Sequence, residues 1–193
     1  MKLLYNKDKI LQLTSLKTIF VDNDILGELY RSASLCEEIF RLLPTPLRTV
    51  DLIEFEFLRD IFDSKTLKLK REFINSPFFE KLESEIFYKI FPMLLDNSLL
   101  ITQVYKHQKY EGNSSPTDLL LASLMMILTN EAILLTSNKK DFPNCVFDTL
   151  EVINMEKDNG QLRSLCLLSF NKENYNSCME KLKSENTFKE EKT

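Results

Sequence analysis

Short apolar runs that alternate with amphipathic helical segments constrain the fold of this chain more than any other feature. The runs lie at residues 18–21, 47–50, 132–135, 146–153 and 162–170, and each has the length and apolar character of a buried strand. Strands of this kind are typical of parallel sheets whose two faces are covered by helices. The sequence therefore predicts an α/β fold with a central, mainly parallel sheet.

Between these strands the sequence predicts several helices from their apolar spacing and from their end signals. A helix from about Ile25 is expected to end at Pro44 and Pro46, and Asp51 is expected to cap the next one in a D-L-I-E capping box. Residues 54 to 97 are predicted to form helices that break near Ser76-Pro77 and at Pro92. A helix from Pro116 to about residue 130 is predicted, and another from 173 to 183, with a turn at residues 158–160.

Three acids are placed where parallel strands end or where a helix begins. Asp22 closes the first run, Asp141 follows the run at 132–135 after a polar turn, and Asp118 lies in the first turn of a helix capped by Ser115. Any one of them alone is explained more simply as a helix cap or a partner of the helix dipole. Together, however, they point to the edge where sites form in α/β sheets. Adjacent carboxylates repel, and Mg²⁺ or Mn²⁺, which prefer oxygen ligands, would relieve that repulsion.

Composition excludes several other kinds of site. The 193 residues include only three glycines, and neither a P-loop nor a dinucleotide-binding glycine pattern occurs. The single histidine, His107, excludes a multi-histidine metal centre, and four scattered cysteines are typical of reduced thiols in a cytoplasm. No apolar run is long enough to cross a bilayer and no signal peptide is evident, so we expect a cytoplasmic protein without membrane contact. A net charge of −4 gives no sign of a nucleic-acid binder and does not exclude one.

The segments P-T-D-L-L-L-A-S-L-M, I-L-L-T-S-N-K-K-D-F-P and I-F-V-D-N-D-I-L-G-E-L resemble those of the PIN domain family of metal-dependent ribonucleases, above all its compact toxin members. The resemblance implies a three-layer α/β/α fold for residues 18–155, preceded by an extension at 1–17. A strand and helix extension at 156–184 and a disordered tail at 185–193 would follow. It implies a metal site in which Asp22, Asp118 and Asp141 are the first, third and fourth acids, and in which Thr136 and Asn138 orient those carboxylates.

The second acid of that site has two candidates in the helix after the second strand. Glu56 shares a helical face with polar residues, whereas Glu54 shares a face with Phe57 and Leu58 and is predicted to point inward. We therefore expect Glu54 to be the second acid. Asp24 either hydrogen-bonds within the site or caps the helix at Ile25, and capping is the simpler interpretation.

The resemblance implies a Mg²⁺- or Mn²⁺-dependent endoribonuclease that hydrolyses RNA phosphodiester bonds, with the toxin of a toxin–antitoxin pair as one candidate role. RNA is the expected substrate, and an antitoxin protein and a second copy of the chain are candidate partners. Two alternatives remain open: a catalytically silent binding or scaffold module with the same fold, and a nuclease of RNA maturation. Lys139 and Lys140, beside the expected site, are either phosphate contacts or part of a solvated turn.

Overall fold

A computed structural model describes residues 2–43, 46–110, 114–156 and 162–190, with the side chains of all of these except residues 2 and 186–190. The strands are β1 (Lys2–Leu4), β2 (Thr18–Val21), β3 (Leu47–Thr49), β4 (Phe79–Lys81), β5 (Ala132–Thr136), β6 (Phe147–Glu156) and β7 (Leu162–Phe170). The helices are α1 (Lys7–Thr14), α2 (Asn23–Arg31), α3 (Ala33–Leu42), α4 (Asp51–Leu58), α5 (Ser64–Ile74), α6 (Ser84–His107), α7 (Pro116–Leu128) and α8 (Lys172–Glu190).

The strands form one mixed sheet in the order β1-β6-β7-β5-β2-β3-β4. β5, β2, β3 and β4 pair in parallel, while β7 pairs antiparallel with both β5 and β6, and β1 pairs antiparallel with β6. Five of the seven strands therefore run in one direction, which follows from these pairings. The predicted α/β class with a mostly parallel sheet is confirmed. β7 is an interior strand, although its segment was predicted as an extension beyond the domain.

Helices pack in two groups around this sheet, an arrangement compatible with a three-layer α/β/α fold. α6 contacts α7 and α8, and α7 packs on β5 and β7. α2 contacts α3, α4, α5 and β5, and α1 contacts α3. The core lies along β5, where every residue is buried, as expected for a strand that is covered on both faces.

The predicted single helix after β2 is in fact two helices, because Ser32 begins a new one. Its side chain accepts a hydrogen bond from the Leu35 backbone N–H at 3.3 Å and caps α3, while its backbone is extended. The helical spacing of apolar residues continues across Ser32, so the sequence pattern did not reveal this cap. The apolar positions of the two helices follow one another in sequence almost without a break. Pro44, one of the two predicted helix ends, lies outside the described residues.

Three further predictions in this half of the chain are wrong. Val50, and not Asp51, is the N-cap of α4, so the expected capping box does not form and Asp51 pairs with Lys81 at 2.9 Å. Residues 79–81 form strand β4 where only helices were predicted. α6 continues through Pro92, since buried residues on both sides, Phe87 and Leu94 among them, hold the helix despite the lost backbone hydrogen bond.

The two ends of the chain are more ordered in secondary structure than the sequence indicated. The segment before residue 17 contains β1, which adds to the edge of the sheet, as well as α1. α8 runs to Glu190 and so enters the predicted disordered tail, because its Glu- and Lys-rich sequence contains no glycine or proline. The turn predicted at residues 158–160 lies outside the described residues. Among the helices of the described segments, none combines the length and apolarity that crossing a membrane requires.

Leu134 in the middle of β5 is completely buried, so shortening it should test the core directly. We expect Leu134→Ala to lower the free energy of unfolding by about 2–5 kcal/mol, because it leaves a cavity between the two helix groups. Leu99→Ala, at a position that is 63% exposed on α6, is the matched control and should change it by less than about 0.5 kcal/mol. Urea denaturation measures both, and equal effects would contradict this description of the core.

Candidate functional site

Asp22 lies at the carboxyl end of β2, where its side chain is held from two directions. One carboxylate oxygen accepts a hydrogen bond from the Ile25 backbone N–H at 2.8 Å, so Asp22 is the N-cap of α2. The other accepts a hydrogen bond from the Thr136 hydroxyl at the end of the neighbouring strand β5. Only 3% of Asp22 is exposed. The carboxylate is therefore fixed at the junction of two parallel strands and one helix.

The polar turn after β5 links Asp22 to Asp141 through two residues. The Asn138 backbone N–H donates to the Thr136 hydroxyl oxygen at 2.9 Å, and the Asn138 side-chain amide donates to the Asp141 carboxylate. Asp141 ends a short 3₁₀ turn and is buried. Thr136 thus contacts Asp22, and Asn138 contacts both Thr136 and Asp141.

Asp118 is brought to the same edge of the sheet by the first turn of α7. Its carboxylate accepts a hydrogen bond from the Ser115 backbone N–H at 2.8 Å, and the Ser115 hydroxyl accepts one from the Asp118 N–H at 3.1 Å. This reciprocal pair is a capping box, so the simple interpretation of Asp118 as a helix-start acid is also correct. The neighbouring Ser114 hydroxyl donates to the Asp141 carbonyl at 3.0 Å and ties the start of α7 to the turn after β5.

A cavity of about 180 Å³ lies between these elements, and we call it the acidic cleft. Two of the predicted acids, Asp22 and Asp118, line it, and Asp141 stands behind Asn138 and outside the lining. Within the described residues, no lysine or arginine forms an ion pair with any of these three. The full lining consists of Asp22, Asn23, Asp24, Glu56, Arg59, Ser115, Asp118 and Asn138.

Burial and mutual repulsion make these carboxyl groups weaker acids than usual. Burial raises the pKa of Asp22 to about 7, and the charges of Asp24 and Asp118 raise it by smaller amounts. The hydrogen bonds from Thr136 and Ile25 act in the opposite direction and lower it. Burial likewise raises the pKa of Asp118, and Asp24 adds to that shift. The pKa of Asp141 is raised by burial first and then by the charge of Asp118. The charge on one acid therefore raises the pKa of its neighbours across the cleft.

The structure places Glu56, and not Glu54, in the acidic cleft. Glu54 lies 3.3 Å from the Lys81 ammonium and lines a separate depression with Asp51. The Glu56 side chain is 14% exposed and stands 3.9 Å from Arg59. The prediction assumed that the polar face of α4 would be solvated, whereas that face borders the cleft. Glu54 thus has no contact with the site for which it was predicted.

Asp24 lines the cleft without capping α2, because Asp22 takes the capping position. The interpretation of Asp24 as the cap is therefore wrong, and its exposed carboxylate adds charge to the cleft. Lys139 is turned away, since its ammonium donates to the Phe142 carbonyl at 2.6 Å and to Asn144 at 2.8 Å. His107 pairs with Glu185 at 3.0 Å, far along the sequence from the site.

The donors of the cleft fit a hydrated Mg²⁺ or Mn²⁺ ion in their chemistry. All are oxygens, and each Asp22 oxygen accepts one protein hydrogen bond, which leaves further lone pairs. Among the described residues, no three His, Cys, Asp or Glu side chains stand close enough together to enclose a metal ion. Mg²⁺ does not require such a cage, because it keeps several waters and is held by one or two carboxylates. Asp22 and Asp118 are the residues that would hold it, and Glu56 would contact its waters.

Comparison of the chain with protein-family models, with curated proteins and with solved structures finds no match. The site must therefore be interpreted from its own geometry. Sequence reasoning considered Glu56 and preferred Glu54, and it did not single out Arg59. A signal for Arg59 existed, because it follows Glu56 by three residues on a helix and so shares its face.

The raised pKa of Asp22 should make the metal-free protein less stable as pH rises. The carboxyl titrates near 3.8 when unfolded and at about 7 when folded, so between these values the folded state binds the extra proton. We expect the free energy of unfolding to fall across this range, with Asp22 contributing on the order of 4 kcal/mol. Asp22→Asn should flatten the slope while keeping the cap, since asparagine caps helices equally well.

The measurement is urea denaturation in a chelating buffer at a series of pH values. Asp96→Asn, which changes an exposed aspartate on α6, should retain the slope of the unaltered protein. An unchanged slope in Asp22→Asn would contradict the proposed state of this carboxyl.

Removing the Thr136 hydroxyl should raise the pKa of Asp22 further. In Thr136→Val the ionised carboxylate loses a hydrogen-bond donor, so its charged form becomes less favourable. The free energy of unfolding at pH 8 should drop by about 1–3 kcal/mol. ¹³C NMR titration of the aspartate carboxyl carbons measures the pKa. Thr129→Val, whose hydroxyl bonds only the Met126 carbonyl, is the control and should leave the titration of Asp22 in place.

Proposed function

We propose that this protein is a Mg²⁺- or Mn²⁺-dependent endoribonuclease with a PIN-like domain. The observation that supports it most is the convergence of Asp22, Glu56 and Asp118 on one cleft, with burial raising the pKa of Asp22 to about 7. Such a cluster of carboxylates is unfavourable by itself and becomes favourable when a cation shares it. The mixed α/β sheet and the position of the cleft at the ends of parallel strands are compatible with this proposal.

A bound divalent ion would supply an activated water and charge stabilisation at the scissile phosphate. The chain's own residues would arrange that chemistry. Asp22 is held rigid by Ile25 and Thr136, so its carboxylate does not need to reorganise when substrate binds. Asn138 orients Asp141, whose charge acts on Asp118 from behind the lining. Arg59, the cation that lines the cleft among the described residues, is half exposed and is placed to neutralise a phosphate oxygen there.

A scaffold or binding module is the second candidate, and one observation favours it. Among the described residues the acids do not form a ready-made group of three around a metal position. Some expectations depend on the sequence resemblance alone and stay predictions. They are a role as a toxin, binding of an antitoxin, a homodimer and a role in RNA maturation.

The direct test is cleavage of a labelled single-stranded RNA in Mn²⁺ and in chelator. We expect cleavage only with metal, and a loss of about 100-fold in Asp22→Asn and Asp118→Asn with folding retained. Glu56→Gln and Glu54→Gln form a matched pair on one helix: the first should lose activity and the second should keep it. Retained activity in both aspartate variants would overturn the assignment, and the reverse result for the glutamates would restore Glu54.

Metal titration separates the enzyme from the scaffold. A site that binds Mn²⁺ in the folded state alone stabilises the protein by about 2.7 kcal/mol when Mn²⁺ exceeds its dissociation constant 100-fold. We expect the melting temperature at pH 7.5 to rise with Mn²⁺ in the unaltered protein and in Asp96→Asn, and to stay constant in Asp22→Asn. The absence of both stabilisation and cleavage would favour the scaffold.

A further inference from the structure

A second depression adjoins the acidic cleft and shares Arg59 with it. Its volume is about 430 Å³, and it lies between α4, α5 and the end of β4. We call it the α4–α5 depression. The residues of its lining that carry the argument are Phe55, Leu58, Arg59, Leu67, Arg71 and Lys81.

Helix α4 borders both sites because its side chains point in different directions around the helix axis. Glu56 is directed to the cleft, Phe55 lines the depression, and Arg59 follows them by three and four residues and stands between them. A strand of nucleic acid that crosses Arg59 therefore passes from the acids to Phe55 without leaving the protein surface. This continuity distinguishes the α4–α5 depression from the other apolar surfaces of the described chain.

The charges that line the two sites differ on either side of Arg59. Carboxylates dominate the cleft, whereas the depression carries Arg59, Arg71 and Lys81 beside Asp51 and Glu54 around an apolar floor. Arg59 also stands 3.5 Å from Asp60, which lines neither site. Lys81 is held in place by Asp51 at 2.9 Å and Glu54 at 3.3 Å. Arg71 is exposed and forms no ion pair with any carboxylate among the described residues. It is the cation best placed to accept an incoming anion.

Phe55 supplies a flat apolar face beside these cations. The residue is 64% exposed, although it lies in the middle of a helix in which Ile53 and Phe57 are buried and Leu52 and Leu58 are partly buried. An exposed aromatic ring beside arginine side chains is a combination that binds nucleic acid without base pairing, because bases stack on the ring while cations meet the phosphates. A base held in a duplex could not reach such a ring.

We propose that the α4–α5 depression is a subsite for one unpaired nucleotide next to the phosphate that is cleaved. Phe55 stacks on its base, Arg71 contacts its phosphate, and Arg59 bridges to the acidic cleft. The inference rests on the proposed nuclease function and deepens it. It assigns α4 as the helix that would hold one unpaired nucleotide of the substrate.

The test measures binding in chelator, where no cleavage occurs. The probe is a fluorescein-labelled oligoadenylate of about ten nucleotides, followed by fluorescence anisotropy. We expect Phe55→Ala to weaken binding about tenfold, because stacking on one ring is lost. Phe62→Ala is the matched control: Phe62 is a fully exposed phenylalanine just beyond α4 that does not line the depression, and it should leave affinity unchanged.

The contact between Arg71 and a phosphate is tested separately, by the salt dependence of binding. Arg71→Gln should reduce the slope of log affinity against log salt by about 0.7, the value for one phosphate contact on a single strand. Lys65→Gln, at an exposed lysine of α5 outside the lining, should leave the slope unchanged. Both changes lie at exposed positions, so circular dichroism melting should show folding retained in each.

Several results would overturn the subsite. They are undetectable binding by the unaltered protein, equal effects of Phe55→Ala and Phe62→Ala, and competition by polyglutamate of equal length as effective as that by RNA. The last would identify a peptide-binding anion site. Unchanged cleavage and KM in Phe55→Ala and Arg71→Gln would also remove the subsite and leave the nuclease intact. Phe55-dependent binding without any cleavage in Mn²⁺ would support a nucleotide-binding site in the depression and would remove both the nuclease and the position of this site beside a cleaved phosphate.

Discussion

The hydrogen bond from Thr136 to Asp22 joins the ends of β5 and β2, and the acidic cleft depends on it. Both residues are almost fully buried, so the carboxylate has exchanged bulk water for one hydroxyl and one backbone N–H. That exchange is incomplete, which is why burial dominates the pKa of Asp22. The buried charge of this carboxylate is only partly compensated by the protein, and this electrostatic cost is a physical reason for a cation to bind there.

Asn138 and Ser114 extend this arrangement to the rest of the site. Asn138 holds both Thr136 and Asp141, and Ser114 ties the turn that carries Asp141 to the start of α7. The acids therefore come from three separate parts of the chain and are joined through hydrogen bonds. On the opposite side, α4 adds Glu56 to the same cleft and Phe55 to the neighbouring depression. One helix thus separates an acidic cleft from a depression of mixed charge that exposes an aromatic ring.

The strands and the first acids were predictable because their signals are local. The apolar runs that end at Asp22 and Thr136 show β2 and β5 directly, and Ser115-Pro116 shows the start of α7. Local signals failed where packing or long-range pairing competes with them. β4 exists because Phe79 pairs with Leu47, and α6 passes through Pro92 because its flanking residues are buried. Neither cause can be seen in a window of a dozen residues.

The sequence by itself determined that this is an α/β chain with acids at the ends of parallel strands, since strand burial and strand direction follow from the apolar pattern. Only the tertiary structure decided between Glu54 and Glu56. Each lies about 80° from the buried Ile53–Phe57 stripe of α4, on opposite sides of it, so the angle from that stripe does not separate them. The packing of α4 against α2 and α5 brings Glu56 to the cleft that Asp22 also lines, while Glu54 on the other flank pairs with Lys81 of β4.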